Sequence, residues 1–325
     1  HADVSMRIVT VSENSVTGSS SDGGGILVRY GSLTMDGCHV ERNTAPDCGG
    51  GMILRHSVLN AAKSFFENNT AKFGAGIYFG DTPNEAEEGC SGEHNHLITD
   101  STISGNTVLD PENGIGGGMY VGTTSNLTLR NSKLLNNDGA TQGGAIVAYS
   151  AGTIELDGVS ISENKAENGA GIFALCTAVY NTDIRLLNGT AIDTNTATGS
   201  FGGGIYTSAS GNNRTTISVA DSSISGNTAA NGAGIFTFGA SDDATINVDL
   251  QSNAQMHNNT ATTGSGGAIY AYDKAAHINV AEGSALYNNT AKNAGDDLWM
   301  NGATFTLPKA SEMSGDKQFN ISEEE

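Results

Sequence analysis

Apolar and polar residues alternate along this chain in short runs, never long enough for a helix, that recur at intervals of about 30 residues. In each recurrence an apolar residue is followed three positions later by Asn, at Asn14, Asn43, Asn69, Asn106, Asn137, Asn164, Asn195, Asn227, Asn259 and Asn289. A turn and a Gly-rich step follow, ending at Ile26, Met52, Ile77, Met119, Ile146, Ile172, Ile205, Ile235, Ile269 and Leu298. Pairs spaced by two, such as Leu33/Met35, Leu127/Leu129, Ile184/Leu186 and Ile278/Val280, precede most of these Asn by about ten residues, the alternation expected of a strand. The apolar residue three before each Asn, from Val11 and Val40 to Met256 and Leu286, marks a third strand. Each repeat is therefore expected to hold three short strands.

Strands this short, joined into a coil of about 26 residues, cannot pair within the coil and must pair in parallel with the coils above and below. The predicted fold is all-β, a right-handed parallel β-helix of about ten three-strand coils. At roughly 4.8 Å per coil the solenoid is a rod on the order of 50 Å long. Residues 1–298 form the β-helix with an insertion loop at 80–97, and 299–325 an incomplete terminal coil, with Phe305/Leu307 and Met313 in strand positions, and an acidic tail. The repeated Asn suits an inward corner position where its amide satisfies backbone groups of neighbouring coils, and Gly pairs such as Gly50-Gly51 suit corners needing positive φ or close backbone approach. Insertions gather between the strand after the Gly step and the next: seven residues separate Ile26 from Leu33, but twenty separate Ile77 from Leu97. No amphipathic helix covers either end, so continuation of the chain or docking of another subunit is expected there.

Composition narrows the function. Gly is 44 of 325 and Pro only 4, which fits frequent tight turns rather than a disordered segment. The formal charge of −20, with 15 Lys+Arg and no basic patch, argues against a nucleic-acid partner. No run of about 18 apolar residues occurs, so no transmembrane helix is expected. The chain opens on His1 rather than Met, as a processed or excised product would.

Gly143-Gly144-Ala145-Ile146, Gly266-Gly267-Ala268-Ile269 and Phe66-Glu67-Asn68-Asn69, with looser variants in all ten repeats, resemble the G-G-A-[ILV] and F-x-x-N repeats of the chlamydial polymorphic outer-membrane protein family. The resemblance covers nearly the whole chain and implies a β-helical passenger region acting as a surface adhesin. Most steps here read G-[GA]-G-I-[YF], only one repeat has Phe before x-x-N, and no autotransporter barrel follows. The resemblance transfers no catalytic residue.

A polysaccharide-acting enzyme of the pectate lyase or polygalacturonase type is the rival reading. Asn181-Thr182-Asp183 and Asp296-Asp297 resemble polygalacturonase motifs, but they lie about four coils apart, on the order of 19 Å, and the attendant His-Gly and Arg-x-Lys motifs are missing. No catalytic residue and no cofactor is expected. Glu93-His94-Asn95-His96 lacks a fixed third ligand and reads as an exposed polar loop rather than a metal site, and Asp242-Asp243 and Asp296-Asp297 read as solvated turn acids.

Four cysteines in an extracellular chain suggest two disulfides, with Cys38–Cys48 and Cys90–Cys176 favoured over the other two pairings. Seven N-x-[ST] sequons, at Asn68, Asn126, Asn188, Asn213, Asn258, Asn288 and Asn320, are candidate glycosylation sites if the source modifies Asn. The residue after each Gly-step Ile or Met forms a further apolar column, including Tyr78, Tyr120, Phe173, Tyr206, Phe236, Tyr270 and Trp299. Facing outward, it suits contact with a glycan or a neighbouring rod. The sequence thus points to a non-catalytic structural or adhesive rod, extracellular or at the cell surface, as an adhesin or filament subunit. Its partners are copies of itself, end-to-end or lateral, or a cell-surface protein or glycan.

Overall fold

The structure, a computed structural model, describes residues 2–19, 21–80, 93–123, 125–177, 181–307 and 321–323. Among them there is no helix. Three parallel sheets run the length of a β-solenoid of about ten turns, with 11, 11 and 10 strands. The first begins at Ala2–Arg7 and ends at Thr304–Thr306, and the second runs from Ile26–Arg29 through Leu298–Met300 to Ile321–Glu323. The third runs from Thr10–Ser12 to Ala285–Tyr287. Each strand pairs in register with its equivalents one coil away, as Ile205, Ile235, Ile269 and Leu298 do. Inward residues of all three sheets meet in one core cluster that includes Leu33, Phe66, Ile161, Ile205 and Leu298.

A fourth, narrower face was not anticipated. Two-residue strands follow the Asn column, as at Thr196–Ala197, Thr228–Ala229, Thr260–Ala261 and Thr290–Ala291, and pair coil to coil. The N-T-A triplet that encodes them is visible in the sequence, but two residues are too few to show an alternation.

The ten asparagines stack in a single column. In each step the backbone N–H and the Nδ2 of one Asn both donate to the Oδ1 of the Asn in the next coil, at 2.9 Å each from Asn137 to Asn164. The same Nδ2 also donates to a carbonyl one coil back, as Asn137 does to Ile103 at 3.0 Å. All but Asn14 are buried. The residue before every ladder Asn has positive φ, including Glu13, Arg42, Thr194 and Asn288, and each left-handed residue turns the next side chain into the core. The Gly three places before each second-sheet strand from Ile26–Arg29 to Leu298–Met300 is also left-handed, and at Gly51 nearby a Cβ would lie 2.5 Å from the Gly76 carbonyl oxygen.

The column ends on a carboxylate. Asn289 Nδ2 donates to Asp297 Oδ1 at 2.9 Å, so an acceptor-only group closes the run of donors, and Asp297 is buried rather than solvated. Asp296 Oδ1 accepts the Ala291 N–H at 2.7 Å. Both acids are spent on the last coil.

The insertion is shorter at its C-terminal end than the expected 80–97. A first-sheet strand starts at His94, so residues 94–97 of the expected 80–97 loop belong to the ladder. In its register His96 pairs with Leu127 and Ile98 with Leu129, which makes His96 and Ile98 the inward pair and turns Leu97 outward. Residues 81–92 lie outside the described residues, as do Met313 and the tail beyond Glu323. Phe305 aligns with Ile278 in the last first-sheet strand, while Leu307 is exposed beyond it.

The ladder sets a sharp expectation for stability. Asn164→Ala strands the Asn137 N–H and Nδ2 and the Leu134 carbonyl in the interior, and on the order of 3–5 kcal/mol should be lost in denaturant unfolding. Asn14→Ala, at the exposed end of the column, should cost under about 1 kcal/mol.

Candidate functional site

The outward column of the second sheet is an aromatic stack. Tyr78 lies 4.6 Å from Tyr120, and Phe173, Tyr206, Phe236, Tyr270 and Trp299 follow one another at 4.6, 5.3, 5.2 and 4.0 Å between ring centroids, with planes within 21° of parallel. Coil spacing brings the rings face to face, so each covers its neighbours and only rims reach solvent. Phe173, Phe236 and Trp299 are accordingly buried although they stand outside the core. Burial pushes up the phenols of Tyr78, Tyr120 and Tyr206, which stay neutral donors.

Beside this stack lies a groove of about 420 Å³, lined by Phe201, Tyr206, Asn231, Phe236, Phe238, Tyr270 and Tyr272. Sequence reasoning found three of these. Phe201 and Asn231 sit in the turns before the strands Ile205–Ala209 and Ile235–Gly239, Phe238 is two residues past the column, and Tyr272 follows the strand Ile269–Ala271. Coil positions whose residue type does not repeat leave no periodic signal.

The two polygalacturonase-like motifs do not meet. Asp183 lies on the first sheet beside Arg214 at 3.4 Å and Arg185 at 3.8 Å, whereas Asp297 is buried ahead of the second-sheet strand Leu298–Met300. The second-sheet strands at Ile205–Ala209, Ile235–Gly239 and Ile269–Ala271 separate them, at least roughly 14 Å along the axis.

His96 overturns the exposed-loop reading of Glu93-His94-Asn95-His96. Its ring is buried, stacks on Phe79 at 3.8 Å, and its Nδ1 accepts the Leu59 N–H at 3.2 Å, standing in for a backbone partner where the strand Val58–Ala62 is not yet paired. His94 lies on the same inward side, 6.2 Å from His56. Asp242 and Asp243 are exposed, and Asp242 pairs with Lys274 at 3.0 Å.

Cys38 and Cys48 are free thiols, which corrects the pairing expected between them. Cys38 belongs to the interior cluster, whereas Cys48 sits on the outer side among acids, and spacing in sequence could not show that they face different ways. Cys176 is buried with its Sγ 3.9 Å from the Arg214 carbonyl oxygen, and Cys90 lies outside the described residues. Among the described residues there is no disulfide.

Around Cys48 the structure gathers Asp22 and Asp47, each offering one ligand atom within 4.8 Å of the others. The buried Arg55 guanidinium bonds Asp22 and supplies the positive charge here. Burial, then the acids, pushes the Cys48 thiol up, so it is an unreactive thiol rather than a thiolate.

Among the sequon asparagines, Asn68, Asn188, Asn258 and Asn288 are exposed and left-handed, and all of these but Asn188 lie next to buried ladder residues. Asn126, Asn188 and Asn213 donate to Asn95, Asp157 and Ser210, and Asn320 lies outside the described residues.

His96→Leu should lower stability by about 1–3 kcal/mol in chemical denaturation despite the added apolar surface, because the Leu59 N–H loses its acceptor. The Asp47 carboxyl is held above the usual range by burial and by Asp22, so its ionisation opposes folding once the pH rises past about 4. Asp47→Asn should therefore raise the melting temperature at pH 7, and the gain should vanish on acidification below about pH 4.

Among the described residues no helix is long and apolar enough to cross a membrane. Comparison with curated proteins and with solved structures returns no match. The family model for the Chlamydia polymorphic membrane protein repeat matches residues 254–272, which hold the strand Gln255–His257, the ladder residue Asn259 and the step Gly266-Gly267-Ala268-Ile269. With that repeat and its parallel solenoid, the chain is a β-helix repeat protein similar to the Chlamydia polymorphic membrane proteins.

Proposed function

We propose that this chain is a non-catalytic rod displayed at a cell surface, where its outer face holds it to other surfaces. The observation that carries this reading is the fate of the acids an enzyme would need. Asp297 is hydrogen-bonded to Asn289 inside the last coil, and Asp183 is ion-paired on another sheet. The polymorphic membrane protein repeat at residues 254–272 supports surface display, and the strongly acidic composition suits an exposed, soluble rod. Free Cys38 and Cys48 leave stability to stacking.

Beads coated with the full chain should attach to a cell layer above albumin-coated controls, and the protein should release no reducing ends from Ca²⁺-supplemented polygalacturonate. Absence of attachment would sink the adhesive role. Turnover that disappears in Asp183→Asn would replace it with the enzyme reading.

A further inference from the structure

We infer that the groove beside the aromatic stack binds a short neutral oligosaccharide, an assignment that rests on the adhesive reading and gives it a ligand class. The argument starts from ring faces. Within the column Tyr206, Phe236 and Tyr270 cover one another, and Tyr272 runs within 13° of Tyr270 at 6.3 Å, whereas Phe201 and Phe238 turn away from their neighbours. Phe201 is tilted 33° from Phe236 and 48° from Tyr206, and Phe238 and Tyr272 are tilted 57° from each other. Set 6.3 Å from Tyr270 and tilted from Phe238, Tyr272 is not closed off by its neighbours and remains 44% exposed. The C–H face of a pyranose packs on such rings.

Polar groups on the rim complete the match. Asn231 Oδ1 accepts the Ser265 N–H at 3.0 Å, which fixes the amide and leaves Nδ2 as a donor without a partner among the described residues. The Tyr206 phenol, which is also hydrogen-bonded to Ser208, and the Tyr272 phenol add hydroxyls that can donate and accept. A volume of about 420 Å³ falls within the usual size of small-ligand sites.

The same surface disfavours other occupants. Among the described residues no charged side chain lines the groove, and a chain of net charge −20 repels uronate or sulfated polymers. A peptide could not add as a strand, because the second-sheet strands at this face are already paired on both sides. A neutral, hydroxyl-rich ligand with apolar faces is what remains.

The chain's single tryptophan provides a probe, since Trp299 stacks 4.0 Å from Tyr270 at the end of the groove floor. Titration with tetramers of β-1,4-linked glucose and of N-acetylglucosamine should give a saturable change in tryptophan emission with at least one of them. A tetragalacturonate should give none. Tyr272→Ala should weaken binding by about tenfold or more. Asn231→Asp, which keeps the acceptor for Ser265 and removes the amide donor, should weaken it as well. Tyr287→Ala, on the third sheet and 39% exposed, should bind as the parent chain does. Tyr272→Phe, which keeps the ring, guards against a folding defect and should retain most of the affinity.

Binding of neither neutral tetramer at millimolar concentration, equal binding of the uronate, or full affinity in folded Tyr272→Ala would overturn the assignment. Cell attachment without tetramer binding refutes the groove and leaves the adhesive rod standing. Cleavage of a bound tetramer leaves the groove standing and refutes the non-catalytic reading.

Discussion

Every coil of this protein depends on an amide that cannot be satisfied within its own coil. A buried Asn must find donors and acceptors, and here most of them lie one repeat above and one repeat below. That requirement fixes register. A slip of one residue would turn each ladder Asn to solvent and bring its left-handed neighbour, in three coils Glu or Arg, toward the core. The hydrophobic columns add most of the burial, but Ile, Leu, Val and Met can exchange places along them with little loss of register. The amide cannot, because its two ends are different and the column has a direction.

Direction explains the last coil. Nδ2 groups point along the column, so its final member needs an acceptor, and among the described residues no eleventh Asn provides one. Asp297 fills that place with a carboxylate, and Asp296 takes a backbone donor of the same coil. In sequence the pair resembles half of a catalytic motif. In the solenoid it is a terminator.

The periodic part of the structure was legible from residues alone. Asn, Gly step and alternating pairs recur, and recurrence shows through variation at any single position. What failed was local. His96 was missed because Leu97 is the more obvious apolar residue, and only strand pairing shows that the imidazole occupies the inward place and accepts from Leu59. The free thiols were missed because sequence distance between Cys38 and Cys48 carries no information about which side of the coil each faces. Half of the groove was legible: Tyr206, Phe236 and Tyr270 belong to an aromatic column, while Phe201 and Asn231 share one coil position and Phe238 and Tyr272 another, where the residue type does not repeat.

That division has a physical basis. Residues repeated at one coil position come to lie on top of each other, and stacked aromatics at this spacing use their faces on one another. A perfectly regular column is thereby self-satisfied and has little left to offer a ligand. Binding capacity returns where regularity fails, at a ring set in a turn, such as Phe201, or just past a strand end, such as Tyr272. The scaffold and its recognition surface therefore draw on opposite properties of the same repeat, and a rod of this kind can change what it binds by altering a few aperiodic residues while the asparagine ladder holds the coils in place.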